Sequence, residues 1–369
     1  MAHQLDELTA QLDRLAAYEP GPYPVVSLYL NMQPDQHGRD HFEPFLRKEL
    51  AERIATYATN SLERKSLEQD AKKIREYVAA VDPAVNGLAI FACSGADLFE
   101  TVEVAAPISQ HRLYISAEPH LYPLARLIDE YPRYAVLLAD THSARIFVFA
   151  VNAVEGTRNV EGTKTHRHKM GGWSQARYQR HIENYHVKHA KEVIDTLGRV
   201  VAEEGIESIV VAGEEVIVPL LRDQMPKEIA ERLVDVVKLD VRASQPEVLE
   251  ISIVAMREKD AKTNRERVDA LLDAYRSNGL GVVGVEATRR ALEMGQVHEL
   301  IITAVPETID AGIKADGLEQ PERTPAERAA DELIVKARQT AARIRFIEDA
   351  SLLAPVGGVG ALLRFKLGS

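Results

Sequence analysis

Tyr134-Ala135-Val136-Leu137-Leu138-Ala139-Asp140-Thr141-His142-Ser143-Ala144-Arg145-Ile146-Phe147-Val148-Phe149 contains two apolar runs joined by four turn-forming residues. Runs of this length and β-branched content, broken by Asp, Thr and Ser, read as a hairpin of two strands. Downstream, Ser208-Ile209-Val210-Val211-Ala212-Gly213 is apolar without alternation, as in a strand covered on both faces of a parallel sheet. A helix from Glu214 to about Met225 and a strand at Val234 to Leu239 follow. Paired strands first, and then strand and helix in alternation, make this region a mixed α/β domain.

Between the hairpin and the apolar strand lies Lys169-Met170-Gly171-Gly172-Trp173-Ser174-Gln175-Ala176-Arg177-Tyr178-Gln179-Arg180. Gly171 and Gly172 have no Cβ to hold another molecule at a distance. Ser174 is a preferred N-cap, and helix is expected from Gln175 to about Glu204. Gln175 would then stand in the first turn, where unpaired backbone N–H groups and the positive end of the helix dipole face outward. Such a tip can place a water and stabilise an oxyanion. Arg177, His181, Asn184, Lys188 and Lys191 recur at steps of three or four and share one face, while Tyr178, Ile182, Tyr185, Val193 and Leu197 share another. The second face suits a core and the first suits phosphate. In a chain of net charge −11, this basic stretch is a local patch that fits an RNA backbone, and the acidic whole argues against indiscriminate nucleic-acid coating.

Gly171-Gly172-Trp173-Ser174-Gln175-Ala176-Arg177 resembles the Gly-Gly-x-Ser-Gln-x-Arg signature of the bacterial and Vms-like relatives of the archaeo-eukaryotic class 1 peptide-chain release factors, the superfamily that includes Pelota. The termination factors carry a contiguous Gly-Gly-Gln; here Trp173 and Ser174 intervene, which points to the rescue branch rather than to stop-codon termination. The resemblance implies an α/β chain of three domains: a divergent α/β N-terminal domain (1–131), an RNase H-like catalytic middle domain (132–245), and a C-terminal α/β domain (246–369) similar to kink-turn-binding ribosomal proteins. It also implies an activity, hydrolysis of the peptidyl-tRNA ester on stalled ribosomes or split large subunits. Gln175, Gly171 and Gly172 would be catalytic, and Ser174, Arg177, Arg180, Lys188 and Lys191 would hold tRNA. The ester needs only a placed water and oxyanion stabilisation, so neither cofactor nor metal is expected. The ribosome and peptidyl-tRNA are the expected partners, with a protein partner at the C-terminal domain.

The N-terminal region opens on a leucine-spaced helix (Leu5, Leu8, Leu12, Leu15) and the strand Val25–Leu30. Charged helices follow at about Phe42–Tyr57 and Leu62–Val81, then strands at Gly87–Cys93, Leu98–Val104 and Arg112–Ser116, with prolines marking the exit. Neither the Asn-Ile-Lys-Ser nor the Tyr-x-Cys codon-reading motif of the release factors is present. From about Pro246 a long charged helix leads into the last domain, where a strand at Glu299–Thr303, a loop over Pro306–Arg328, a helix over Ala326–Ile344 and strands near Phe346-Ile347 and Leu362–Leu367 are expected. Gly357-Gly358-Val359-Gly360 reads as a tight hairpin turn, with no βαβ unit behind it to make a nucleotide loop.

The sequence of 369 residues, 46% hydrophobic and 27% charged, has room for two or three globular domains. The single cysteine, Cys93, is expected to be a buried strand thiol, and the lack of a signal-type start or membrane-length apolar run suggests the cytoplasm. Two other functions fit parts of the pattern. A non-catalytic, Pelota-type ribosome or RNA adaptor needs the domains but not Gln175. A metal-dependent nuclease would be built on Asp140, but it needs convergent carboxylates, and Asp140 reads as a turn residue. Among the histidines of the basic stretch, His186 and His189 stand only i, i+3 on the helix and His189 falls on the apolar face, so a satisfied core histidine is expected there rather than a metal ligand.

Overall fold

The computed structural model describes residues 4–34, 42–161, 175–311 and 323–366, with backbone alone for 175–183. The chain divides into two compact units, one formed by residues 1–131 together with 261–369, the other by Pro132–Asp260. The sequence reading cuts the chain at 131/132 and 245/246, whereas the second division falls inside a helix, at 260/261.

The first unit begins with α1 (Gln4–Ala16), β1 (Val25–Asn31), α2 (Phe42–Ala55), α3 (Leu62–Val78), β2 (Gly87–Cys93), β3 (Leu98–Val104), β4 (Arg112–Ser116) and α4 (Tyr122–Glu130). Its sheet has the order β3-β2-β1-β4 and is antiparallel throughout. Alternate residues of β1, Val26, Leu28 and Leu30, face α2 and α3, where Leu46, Leu50, Leu67 and Ile74 close the core. Cys93 is a buried, free thiol at the end of β2.

The second unit contains β5 (Tyr134–Ala139), β6 (Ser143–Ala150), β7 (Ala153–Glu161), α5 (Gln175–Glu203), β8 (Ile209–Gly213), α6 (Ile217–Gln224), α7 (Lys227–Ala230), β9 (Leu233–Val237) and the start of α8 (Gln245–Arg276). The sheet order is β7-β6-β5-β8-β9, with β7, β6 and β5 antiparallel and β5, β8 and β9 parallel. This is the RNase H-like arrangement. Both faces are covered. Ala135, Leu137, Ile146 and Val211 meet Ala190, Val193 and Leu197 of α5, while Val136, Leu138, Phe147 and Phe149 meet Val248, Ala255 and Met256 of α8. Lys259 Nζ donates to Ser208 Oγ at 2.5 Å, and Arg145 lies over the Phe147 ring at 4.7 Å while donating to the Ala243 carbonyl at 2.8 Å.

The remainder of the first unit has β10 (Gly281–Val283), α9 (Val285–Glu293), β11 (Val297–Thr303), α10 (Pro325–Gln339), β12 (Arg343–Ile347) and β13 (Val359–Leu363), in the sheet order β10-β13-β11-β12. Three local expectations are corrected. The last strand lies at Val359–Leu363, not Leu362–Leu367: Gly357 and Gly358, at φ 77° and 80°, make the turn, and Gly360 is already in the strand. A Cβ on Gly360 would meet Leu271 Cδ2 at 2.7 Å, so only glycine lets α8 approach there. Helix α10 ends at Gln339, because Ala341 is in the left-handed region (φ 51°) and Arg343 begins a strand. Helix α6 starts at Ile217 rather than Glu214.

The two parts of the first unit are locked together at the start of α4. That helix has no N-cap side chain of its own. Instead Asp331 of α10 accepts from the backbone N–H of Leu121 (3.0 Å) and Tyr122 (2.9 Å), and its other oxygen engages His120 Nδ1 and Arg323. Tyr122 Oη donates to the Thr303 carbonyl at 2.5 Å, and the Phe346 N–H donates to Asp129 at 2.8 Å.

Candidate functional site

Helix α5 begins at Gln175. Gly171, Gly172 and Ser174 lie outside the described residues; Gln175, Arg177 and Arg180 stand on the first two turns of α5, where only the backbone is described. The structure places Lys188 and Lys191 on the solvent face with Asn184. The opposite face, Ala190, Val193, Ile194 and Leu197, is buried against the sheet. The sequence periodicity thus divides α5 as expected, and the helix leads from a packed core to the motif.

Asp140 behaves as a turn residue. Its Oδ1 accepts from the N–H of His142 (2.7 Å), the N–H of Ser143 (2.6 Å) and Ser143 Oγ (3.2 Å), closing the β5–β6 hairpin. Beside this turn the structure collects three imidazoles. The His142 and His186 rings are 6.1 Å apart and nearly perpendicular, and His189 is buried. The expectation of a satisfied core histidine is not met: neither ring nitrogen of His189 completes a hydrogen bond among the described residues, although the Ser143 backbone lies close enough to act on the ring. Its proton affinity is lowered, first by burial and then by His142, against the opposing pull of the Ser143 carbonyl, Asp140 and Glu192. His186 is lowered by burial and by its two imidazole neighbours. His142 escaped the sequence reading, since nothing in a turn sequence says which helix will cover it.

A stability prediction follows from these histidines. A histidine whose folded-state pKa is depressed binds fewer protons folded than unfolded, so stability is intact above about pH 6.5, the ordinary histidine value, and falls below it. Each such proton costs about 1.4 kcal/mol per pH unit. Urea unfolding at neutral pH and at successively lower pH is expected to show this decline, with a shallower slope in His189→Leu; an unchanged slope in the variant would exonerate His189.

Beside the turn, β8 ends at Gly213, where an added Cβ would lie 2.2 Å from the Ala139 carbonyl oxygen. Gly213→Ala is expected to force β5 and β8 apart and cost about 1–3 kcal/mol, measured by urea unfolding. Among the described residues, no group of three or more His, Cys, Asp or Glu side chains is placed to hold a metal, and no helix is long and apolar enough to cross a membrane.

Residues 119–257 match the family described as bacterial archaeo-eukaryotic release factor family 10, and residues 261–367 match eRF1 domain 3. The chain is 24% identical over 263 residues to peptide chain release factor subunit 1 of Aeropyrum pernix, an alignment spanning 66% of this chain and 64% of that protein. It is 23% identical over 372 residues to the same factor of Methanobrevibacter smithii, spanning 88% and 89%. To the pelota homolog of Thermococcus kodakarensis it is 23% identical over 247 residues, spanning 62% of this chain and 64% of that protein. Among solved structures, a ribosome-bound archaeal Pelota with ABCE1 aligns over 100% of this chain and 96% of that one at 16% identity, with a TM-score of 0.45. The chain is a relative of the archaeo-eukaryotic release factor/Pelota superfamily. Within it, the bacterial family 10 match fits the Vms-like branch to which the Gly-Gly-x-Ser-Gln-x-Arg stretch points.

Proposed function

We propose that this chain hydrolyses the ester between a nascent peptide and the terminal ribose of tRNA, on stalled ribosomes or split large subunits in the cytoplasm. The observation that carries the reading is Gln175 as the first residue of a long helix docked on an RNase H-like sheet. There the carboxamide orients a water, and unpaired N–H groups of the first turn meet the oxyanion as it forms. Gly171 and Gly172 admit the tip to a narrow site. Ser174 caps the helix, and Arg177, Arg180, Lys188 and Lys191 follow the acceptor-stem phosphates. In this reading 132–245 carries the chemistry, 246–369 receives a protein partner, and 1–131 senses the stalled state. The relatives named as peptide chain release factors support it.

The similarity to a pelota homolog favours a second reading, a ribosome-binding adaptor without hydrolysis. Release of labelled peptide from stalled ribosomes and from split large subunits separates the two. Wild-type protein treated with EDTA is expected to release peptide. Ribosome binding without release would sink the hydrolase and leave the adaptor, and release that returned only with Mg²⁺ or Mn²⁺ would point to metal chemistry.

A further inference from the structure

The turn between β5 and β6 and the middle of α5 bring three imidazoles together within the second unit. They stand apart from Gln175: His186 follows it by eleven residues on α5, about 16 Å at the helical rise. His142 is exposed on the turn, His186 is half-buried on the helix, and His189 is buried one helical turn further on. The His142 and His186 rings are 6.1 Å apart, centre to centre, and cross at 70°. His142 is not a loose surface ring. Its main-chain N–H donates to Asp140 Oδ1 at 2.7 Å, and its Nδ1 meets Thr141 Oγ1 at 2.8 Å.

The ring nitrogens of this group are nearly all without protein partners. Both nitrogens of His189 are buried and unbonded. No hydrogen bond among the described residues reaches a ring nitrogen of His186 or the Nε2 of His142. Buried polar groups ordinarily find partners, so three such rings side by side point to a ligand that supplies what the protein does not. The arrangement also discourages protons. Burial lowers the proton affinity of His186 and His189, and His142 lowers both further. Neutral imidazoles result, the form in which histidine binds a divalent metal.

The distances suit one ion between the first two rings. At a zinc–nitrogen length of ~2.0–2.1 Å, each ring centre stands roughly 3 Å from the ion, so rings 6.1 Å apart can straddle one. Thr141 meets a second requirement. A ligating histidine usually donates its other N–H to an oxygen, which fixes the tautomer and the direction of the ring. With Nδ1–H directed to Thr141 Oγ1, the lone pair of His142 falls on Nε2. No third His, Cys, Asp or Glu donor converges with the pair among the described residues, so the site is an open one, completed by water. Imidazole selects zinc, nickel and copper over magnesium and calcium, which prefer oxygen. We propose that His142 and His186 together bind one divalent ion of the zinc, nickel and copper class, clipping the β5–β6 turn to α5. The ion would stabilise the second unit by mass action. Peptide release as read above uses no metal, so the two proposals stand or fall separately.

Calorimetry and thermal unfolding of the untagged full chain, stripped with EDTA and dialysed, test this. The probes are Zn²⁺, Ni²⁺ and Cu²⁺, with Mg²⁺ as the oxygen-preferring control. One tight equivalent is expected, with a raised unfolding temperature and, for Cu²⁺, a paramagnetic resonance spectrum split by two nitrogens. The sequence holds 12 histidines, so substitution must assign the ligands. His142→Ala and His186→Ala should each weaken binding about tenfold or more and erase the two-nitrogen splitting, while His142→Ala unfolds as wild type does when no metal is present. His298→Ala, exposed on β11 of the first unit, should bind unchanged. The proposal is overturned if none of the three ions binds at millimolar concentration, if Mg²⁺ binds as tightly as they do, or if both ligand variants bind as wild type does, which would place the ion on other histidines.

Discussion

Gln175→Ala is expected to reduce peptide release by about 10²–10³-fold, the usual consequence of removing one group that stabilises the charge of an acyl-transfer transition state. The direction follows from where Gln175 stands. Gln175 is the first residue of α5, in the turn whose N–H groups have no partners within the helix. Alanine is the best helix former, so α5 keeps its face against Ala135, Leu137 and Ile146, and the protein should bind ribosomes as before. Single-turnover release from stalled ribosomes, with ribosome affinity measured in parallel, separates chemistry from docking. If the variant released peptide at the wild-type rate, Gln175 would lose its assigned role. Arg177→Ala should instead weaken tRNA engagement in a salt-dependent way, since a phosphate contact carries that dependence.

Asp331→Ala is expected to destabilise the first unit by about 3–5 kcal/mol, the cost of breaking a buried charge cluster by removing one partner. The carboxylate caps α4 through the N–H groups of Leu121 and Tyr122 and holds His120 and Arg323. Truncation leaves all four donors without this acceptor at a site where the carboxylate and the His120 ring are buried. Asp331→Asn keeps an acceptor for the two N–H groups while losing the charge that engages His120 and Arg323, and should fall between the wild type and alanine. Hydrogen exchange of α4 amides, with urea unfolding of the whole protein, reports the loss; a change below about 1 kcal/mol would place Asp331 among ordinary single hydrogen bonds.

Much of this architecture could be read from residue pattern. Strands β1, β2, β3 and β4 are legible as short apolar or alternating runs between turn-forming stretches, and α5 declares its two faces through Lys188 and Lys191 against Val193 and Leu197. Other elements gave no such signal. Strand β7 is polar along much of its length, Glu155-Gly156-Thr157-Arg158-Asn159, and pairs with β6 because its backbone is available rather than because its side chains alternate. Helix α4 hid behind Pro123, which reads as a breaker but sits in the first turn, where a missing N–H costs nothing. The candidate site was legible as far as it lies on one helix. The imidazole group beside Asp140, and the junction of His120 with a carboxylate 211 positions away, depend on contacts between distant segments, which local pattern does not encode.

The junction at Asp331 also sets an order of events during synthesis. The middle unit, Pro132–Asp260, is contiguous in sequence, so its sheet can close as soon as α8 leaves the ribosome. The first unit cannot. Helix α4 is translated about two hundred residues before the carboxylate that caps it, so the N–H groups of its first turn lack that partner until α10 arrives. The N-terminal segment therefore waits, partly uncovered, through the manufacture of the rest. That interval is when a nascent chain is most exposed to aggregation and most in need of chaperones.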